Sequence, residues 1–478
     1  MKLEKFKEKN KKKTFIILFT VSCIFLLVGI YIYTSFAVFS EEKNFNVING
    51  SYQDPGDLYF AIYVDDKMVQ EMPKQNEGYA FNEEKSTCTN GATISWDNSN
   101  WTAIVNLSNY TKENMSRTKC TMYFTKSIIS QIISNLDKTG SCPTVNEDGG
   151  MNITSTESEK SLVCSAPDDY GTSYYFRGNV ENNWVKFAGY YWRIIRINGD
   201  GSVRMIYAGD ASVIDALPNK EEVLKNGYDD WSTKYTQIGE YGYTYNYTDS
   251  NNDNAYVGYM YGTPGSSSYE ETHANINDSA IKTYIDSWYE EHLLNTEYES
   301  YISDTLFCND RSLLTETEIS NEFGEVTFNQ LGYGKNNTVY RWGGDMPYAE
   351  LGPEYEFAIT YPNFKCTQHN DRFTVDSEIG NGALTYPVAT VTADDVYAAG
   401  GYSEEINNNY YLFTGNLYWT ISPYDFSFNT VEIRRVKDDG SILYTNSAFA
   451  GFGVRPVINI KSSSLSMGTG TALDPYRM

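Results

Sequence analysis

Charged and apolar positions separate sharply at the start of this chain. Seven lysines and two glutamates fall within the first thirteen residues, and Thr14 to Ser40 then carries no charge. An α-helix rises about 1.5 Å per residue, so a bilayer core of about 30 Å needs about twenty apolar residues. The run FIILFTVSCIFLLVGIYIYTSFAVF supplies them and predicts a transmembrane anchor helix over residues 14–39. Lysine clusters stay on the cytoplasmic face. The basic tail 1–13 is therefore expected inside and the bulk of the chain outside, in a single-pass protein of the cell membrane. A cleavable signal peptide competes with this reading, because Ser35 and Ala37 are small residues suited to a cleavage site. Signal h-regions run about 7–15 residues, shorter than this stretch, which favours the anchor.

Beyond the anchor the period shortens. Leu58, Phe60, Ile62 and Val64 alternate with Tyr59, Ala61 and Tyr63, as in a strand packed on one face. Asp65-Asp66-Lys67 turns the chain, and Ala92–Trp96, Trp101–Val105 and Cys120–Phe124 follow as short apolar runs. Strands broken by Asn, Asp and Gly predict a small β-sandwich module over 41–125. The helical spacing of Ile128, Ile129, Ile132, Ile133 and Leu136 predicts a connecting helix over 126–138.

Residues 139–478 read as one large domain. Val185 to Ile197 is a strand run, Asn198-Gly199-Asp200-Gly201 a turn, and Ser202 to Tyr207 the returning strand. Residues 209–275 are polar, tyrosine-rich and weakly periodic, which predicts an insertion with long loops. Asn277 or Asp278 is placed to cap a helix with Ile281, Tyr284, Ile285 and Trp288 at 3.6 spacing. Thr392 caps a second helix, with Asp395 three residues on reaching back and Gly400-Gly401 ending it. The last predicted strands are Tyr418–Ile421, Thr430–Val436, Ser441–Tyr444 after an Asp439-Gly440 turn, and Gly453–Ile460. Strands, two isolated helices and more strands give an α+β class rather than a doubly wound sheet.

Charge and sulfur narrow the setting. The formal charge is −25, and removing the tail's seven positive and two negative charges leaves −30 outside. Such a surface repels phosphate backbones and excludes nucleic acid as a partner. The 42 tyrosines and 8 tryptophans provide faces to bury, unlike a disordered acidic tail. One of seven cysteines, Cys23, lies in the span. The other six form an even set in an exported chain, which reads as disulfides with fifteen formal connectivities. The spacing suggests the sequential pairs Cys88–Cys120, Cys142–Cys164 and Cys308–Cys366; the alternative is a catalytic thiol at Cys308 or Cys366.

Three segments stand out together: Tyr191-Trp192-Arg193-Ile194-Ile195-Arg196-Ile197-Asn198-Gly199-Asp200-Gly201, Tyr418-Trp419-Thr420-Ile421-Ser422-Pro423, and Gly453-Val454-Arg455-Pro456-Val457-Ile458-Asn459. With them go the helix Ala280–Tyr289, the run Thr385-Tyr386-Pro387-Val388 and the ending Gly468-Thr469-Gly470-Thr471. The set resembles a family of uncharacterised surface proteins of Gram-positive bacteria. The 41–125 module, with Gly78-Tyr79-Ala80-Phe81 and Gly91–Asp97, resembles the domain that often precedes theirs. More distantly, the layout is similar to the C-type-lectin-like fold, which formylglycine-generating enzymes and bacterial variable surface binders share. That resemblance implies a compact α+β domain with long loops forming a ligand face. Here the face would be Ser422 to Phe452, with Tyr424, Phe426, Phe428 and Phe449 as binding residues.

Residue chemistry adds roles of its own. Trp192 and Trp419, on strands, belong to the core, with a ligand role as the alternative. Arg455 before Pro456 is expected buried against a carboxylate, organising the last strand, or else anchoring a ligand. Tyr424, Phe426 and Phe428 alternate through a polar stretch, where binding and packing are both open. Asp249-Ser250-Asn251-Asn252-Asp253 begins like a calcium loop, but Asn254 replaces its turn glycine and Met260 its bidentate glutamate. Sugar-binding Glu-Pro-Asn and Gln-Pro-Asp tripeptides, nucleophile elbows and paired metal-site histidines are absent from the sequence. No catalytic residue, metal ligand or cofactor is nominated. The expected function is ligand binding or adhesion at the cell surface, toward a glycan, a host protein or an envelope polymer. The alternatives are an extracytoplasmic enzyme of formylglycine-generating-enzyme-like fold, requiring redox-active Cys308 and Cys366, and a structural envelope component.

Overall fold

The computed structural model describes residues 58–478 apart from 74–78, 84, 98–100, 107–117, 127, 227–234, 245–253, 266–267, 312–338, 341–360, 428–429, 446–447 and 466. The expected tail 1–13 and anchor 14–39, the loop 249–253 and Phe428 lie outside the described residues. Among the described residues no helix is long and apolar enough to cross a membrane. Helices and many strands mix along the chain, and the class is α+β.

In the first module Asp65 and Asp66 adopt left-handed φ angles of 47° and 60°, closing a two-residue turn between Leu58–Val64 and Lys67–Val69. The strand Leu58–Val64 runs parallel to Thr118–Lys126, with Phe60 opposite Cys120 and Val64 opposite Phe124. Tyr79–Phe81 and Thr87–Cys88 pair with the other side of Thr118–Lys126, completing a five-stranded sheet. Ile62, Met122 and Phe124 on its inner face pack against Ile94, Trp96, Trp101 and Ala103 of the Thr93–Asp97/Thr102–Asn106 hairpin. The Cys88–Cys120 disulfide joins residues directly opposite in register.

Helix Ile128–Ser134 is more than a connector. Its Ile128 and Ile132 enter the main hydrophobic core. That core lies between two larger sheets. The eight-stranded sheet runs Ile302–Ser303, Val457–Ile460, Val203–Asp210, Tyr190–Ile197, Gly171–Gly178, Ser161–Asp168, with Trp184–Phe187 and Val388–Ala389 added at its sides. The six-stranded sheet runs Gly239–Tyr241, Phe452–Val454, Tyr418–Ser427, Thr430–Val436, Ile442–Thr445, with Val339–Tyr340 alongside.

Several sequence expectations are corrected here. The Val185–Ile197 run is two strands, because Ala188 and Gly189 take left-handed φ angles of 52° and 81° and fold it into a hairpin. Gly453–Ile460 is also two strands, split at Arg455-Pro456, and each half serves a different sheet. Within Ser422–Phe452 the expected strands Thr430–Val436 and Ser441–Tyr444 form and pair, and the first strand runs on to Ser427, so the loops implied by the resemblance give way to a sheet. The supposed insertion 209–275 gives Tyr243, Val257, Tyr259 and Met260 to the core. Ser279, not Asn277 or Asp278, caps helix Ala280–His292 by accepting from the Lys282 N–H, while Asn277–Asp278 pairs with Met260–Tyr261. Thr392 Oγ1 accepts from the Asp395 N–H at 3.0 Å, but the Asp395 side chain does not reach back. Its carboxylate turns inward, 3.4 Å from Arg196 Nε and 3.6 Å from Arg204 Nη1.

Trp192 and Trp419 are fully buried, and their indole N–H groups donate to the carbonyls of Phe187 and Tyr241. Arg455 is buried, and among the described residues it has no carboxylate partner. Its guanidinium donates to the Tyr207 carbonyl at 3.1 and 3.0 Å and to the Leu412 carbonyl at 3.2 Å, and it lies 4.8 Å over the Tyr418 ring. Carbonyls at the sheet junction replace the expected acid.

The remaining disulfides are Cys142–Cys164 and Cys308–Cys366. Next to the second, the wholly buried Arg311 and Asp371 pair at 2.6 Å. Arg311 also donates to the Met260 and Asn370 carbonyls and to Asn275 Oδ1, so each of its three guanidinium nitrogens has a partner. Removing one partner strands a buried charge. Asp371→Ala should therefore cost about 3–5 kcal/mol in denaturant unfolding, and the double change Arg311→Met/Asp371→Leu should cost less than that single one.

Candidate ligand-binding surface

Helix Ala280–His292 packs against strands of both large sheets, Val388–Ala389 and Gly239–Tyr241. Ile281, Ile285 and Tyr289 point into the core. One turn apart on a neighbouring stripe stand Tyr284, Trp288 and His292, which share a face by i, i+4 spacing. All three are partly exposed.

Residues from both sheets extend this stripe. Tyr241, 41% exposed on the six-stranded sheet, stacks on Tyr284 with ring centroids 4.6 Å apart and planes 4° apart. Tyr190, on the eight-stranded sheet, lies 5.5 Å from Trp288 and 5.9 Å from His292, and its hydroxyl is 2.9 Å from His292 Nδ1. Buried Tyr207 backs both, 5.5 Å from Tyr190 and 5.9 Å from Trp288. Burial, with help from Asp210 and Glu291, pushes the Tyr190 phenol above its ordinary range. Burial and Tyr241 do the same for Tyr284. Both phenols are neutral at physiological pH and can donate and accept hydrogen bonds. Flat rings edged by such groups suit a ligand with an apolar face and hydroxyl edges.

The residues expected at a ligand face are dispersed. Tyr424 is 8% exposed, and its ring lies 4.8 Å from the Arg434 guanidinium inside the protein. Phe426 pairs through its backbone with Val339, in a strand. Phe449 is 43% exposed and its carbonyl lies against Gly242, beside Tyr241, at the end of the aromatic strip. Of the strip itself, Tyr284 and Trp288 were visible as helix positions, but their spacing alone reads as core. Tyr190 and Tyr241 reach the strip only through sheet topology, which carries no local signal.

Other chemistry is thin. Among the described residues no cluster of His, Cys, Asp and Glu could hold a metal ion. The Cys308–Cys366 bridge removes the free thiols that the enzyme alternative requires. On the far face of the helix, fully buried Lys282 contacts Asp286 at 2.5 Å and Asp278 at 3.4 Å. Burial pushes the Asp286 carboxyl up to about 6, against the pull of Lys282.

Comparison with protein-family models, with curated proteins and with solved structures returns no match to this chain.

The folded protein holds the Asp286 proton more tightly than the unfolded chain, where the ordinary value is 3.8. Folding therefore takes up a proton between about pH 4 and 6, and stability falls as pH rises through that window. Unfolding free energies measured from pH 4 to 7 should show wild type losing on the order of 3 kcal/mol relative to Asp286→Asn.

Proposed function

We propose that this chain is a membrane-tethered surface protein whose exported part binds a glycan through the strip of Tyr190, Tyr241, Tyr284, Trp288 and His292. The strip carries the reading: five partly exposed rings from a helix and two sheets form one surface. Rings left at a surface and backed by a rigid core are the usual anchors of recognition, since little side-chain entropy is lost on binding. The tether reading rests on the uncharged stretch 14–39 behind its lysine-rich tail. Three disulfides favour an oxidising compartment. The ligand would be a host or envelope polysaccharide.

The large region is proposed to be C-type-lectin-like, in line with the resemblance of its hairpin and closing strand to surface proteins of Gram-positive bacteria. In support, the last residues of the chain return to the strand that opens the hairpin: the Trp184 N–H donates to the Gly470 carbonyl, and the Tyr476 N–H to the Trp184 carbonyl.

A glycan array probed with the full-length chain in nanodiscs should show selective binding. Trp288→Ala should weaken it about tenfold or more, the scale of an aromatic hot spot, while Ser287→Ala on the outer side of the same helix leaves it unchanged. Retained binding in a folded Trp288→Ala protein would reject the strip. Protease applied to intact cells should cut the exported part.

A further inference from the structure

We infer that the corner formed by Tyr190, Trp288 and His292, flanked by Asp210 and Glu291, receives a ligand ammonium group, and that the glycan bound is an amino-sugar polymer with free amines. This deepens the glycan reading and rests on it.

Three observations converge. First, the corner is aromatic on more than one side: Trp288 lies 5.5 Å from Tyr190 and 5.3 Å from His292. An indole face offers a cation the strongest π attraction of any side chain, and more when water is displaced. Second, negative charge surrounds it. Asp210 is the cross-strand partner of Tyr190, and one of its oxygens is already engaged by Ser212. Glu291, its side chain 77% exposed, lies with Oε2 3.8 Å from His292 Nε2. Among the described residues neither carboxylate is paired with a lysine or arginine. Both raise the affinity of the Tyr190 phenol for its proton, which places a negative potential at that hydroxyl. Third, the chain carries a net charge of −25. Such a field repels phosphate- or uronate-bearing polymers and draws cationic ones toward the surface.

The occupant follows from combining charge with shape. A lone lysine side chain would use only the corner. Successive pyranose rings could also reach Tyr284, four residues or about 6 Å along the helix from Trp288, and Tyr241 stacked on it. An amino-sugar polymer matches both halves of the strip.

The test titrates the full-length chain in nanodiscs with a glucosamine oligomer, its fully N-acetylated counterpart of equal length, and an oligolysine, at a pH where the sugar amines are protonated. The glucosamine oligomer should bind at least tenfold more tightly than the acetylated one and than oligolysine. Added salt should erode that preference, and Glu291→Gln should reduce it severalfold. Thermal melting of the variant confirms that it folds. Equal binding of the two sugars overturns the ammonium site but leaves the glycan strip standing. Oligolysine binding as tightly as the amino sugar overturns the choice of polymer. Absence of binding by either sugar overturns both the inference and the strip.

Discussion

Arg455 and Pro456 stand where one stretch of chain leaves the six-stranded sheet and enters the eight-stranded one, and the molecule is organised around that crossing. A backbone that changes sheets leaves main-chain groups without ladder partners, and proline has no N–H to offer. The dipeptide resolves this with Tyr207. The Pro456 carbonyl accepts from the Tyr207 N–H at 2.8 Å, and Arg455 donates twice to the Tyr207 carbonyl. The third donation, to Leu412, falls on a carbonyl that the Tyr418 hydroxyl also reaches at 2.9 Å. A planar, always-charged guanidinium suits this work, because its donors are fixed in one fork. The seam leads directly to the surface. The ring of Tyr207 backs Tyr190 and Trp288, and helix Ala280–His292 lies across strands of both sheets. The aromatic strip is therefore as rigid as the junction beneath it.

The same device recurs through the core and accounts for its unusual composition. Phenol hydroxyls of Tyr243, Tyr259, Tyr410 and Tyr411 donate to the carbonyls of Ile421, Val388, Gly440 and Ile195. A large ring fills volume while its tip satisfies a carbonyl at an irregular strand end. Burial pushes these phenols well above their ordinary range at Tyr259, Tyr410 and Tyr411, so they remain donors. Buried arginines act in the same way. Arg177 donates to the carbonyls of Tyr397, Ala398 and Ser155, and Arg311 combines carbonyls with Asp371. A chain with 42 tyrosines can thus support short, frequently interrupted strands over a continuous core.

Local chemistry was legible in the sequence; long-range partnership was not. The Asn198–Gly201 turn closes as expected, with the Asn198 N–H donating to the Ser202 carbonyl, because its signal lies in adjacent residues. Thr392 caps its helix for the same reason, and the three cysteine pairs are neighbours along the chain. By contrast, Leu58–Val64 joins Thr118–Lys126 in parallel, which no feature of either strand declares. Arg455 was expected to seek a carboxylate, since charge is visible in a sequence and an orphaned carbonyl is not. Tyr424 stays open between binding and packing in the sequence because Ser, Pro and Asp around it mimic a loop; in the fold the segment is a strand and its ring faces Arg434. Tyr190 and Tyr241 meet the helix only after both sheets have formed.

Hydrogen exchange on Arg455→Met, compared with wild type, tests whether the seam supports the strip. Faster exchange is predicted together in Phe452–Val454, Val457–Ile460 and helix Ala280–His292, since all depend on one junction. Loosening of the two strands with wild-type protection throughout the helix would contradict this, showing that the aromatic surface stands on the helix alone.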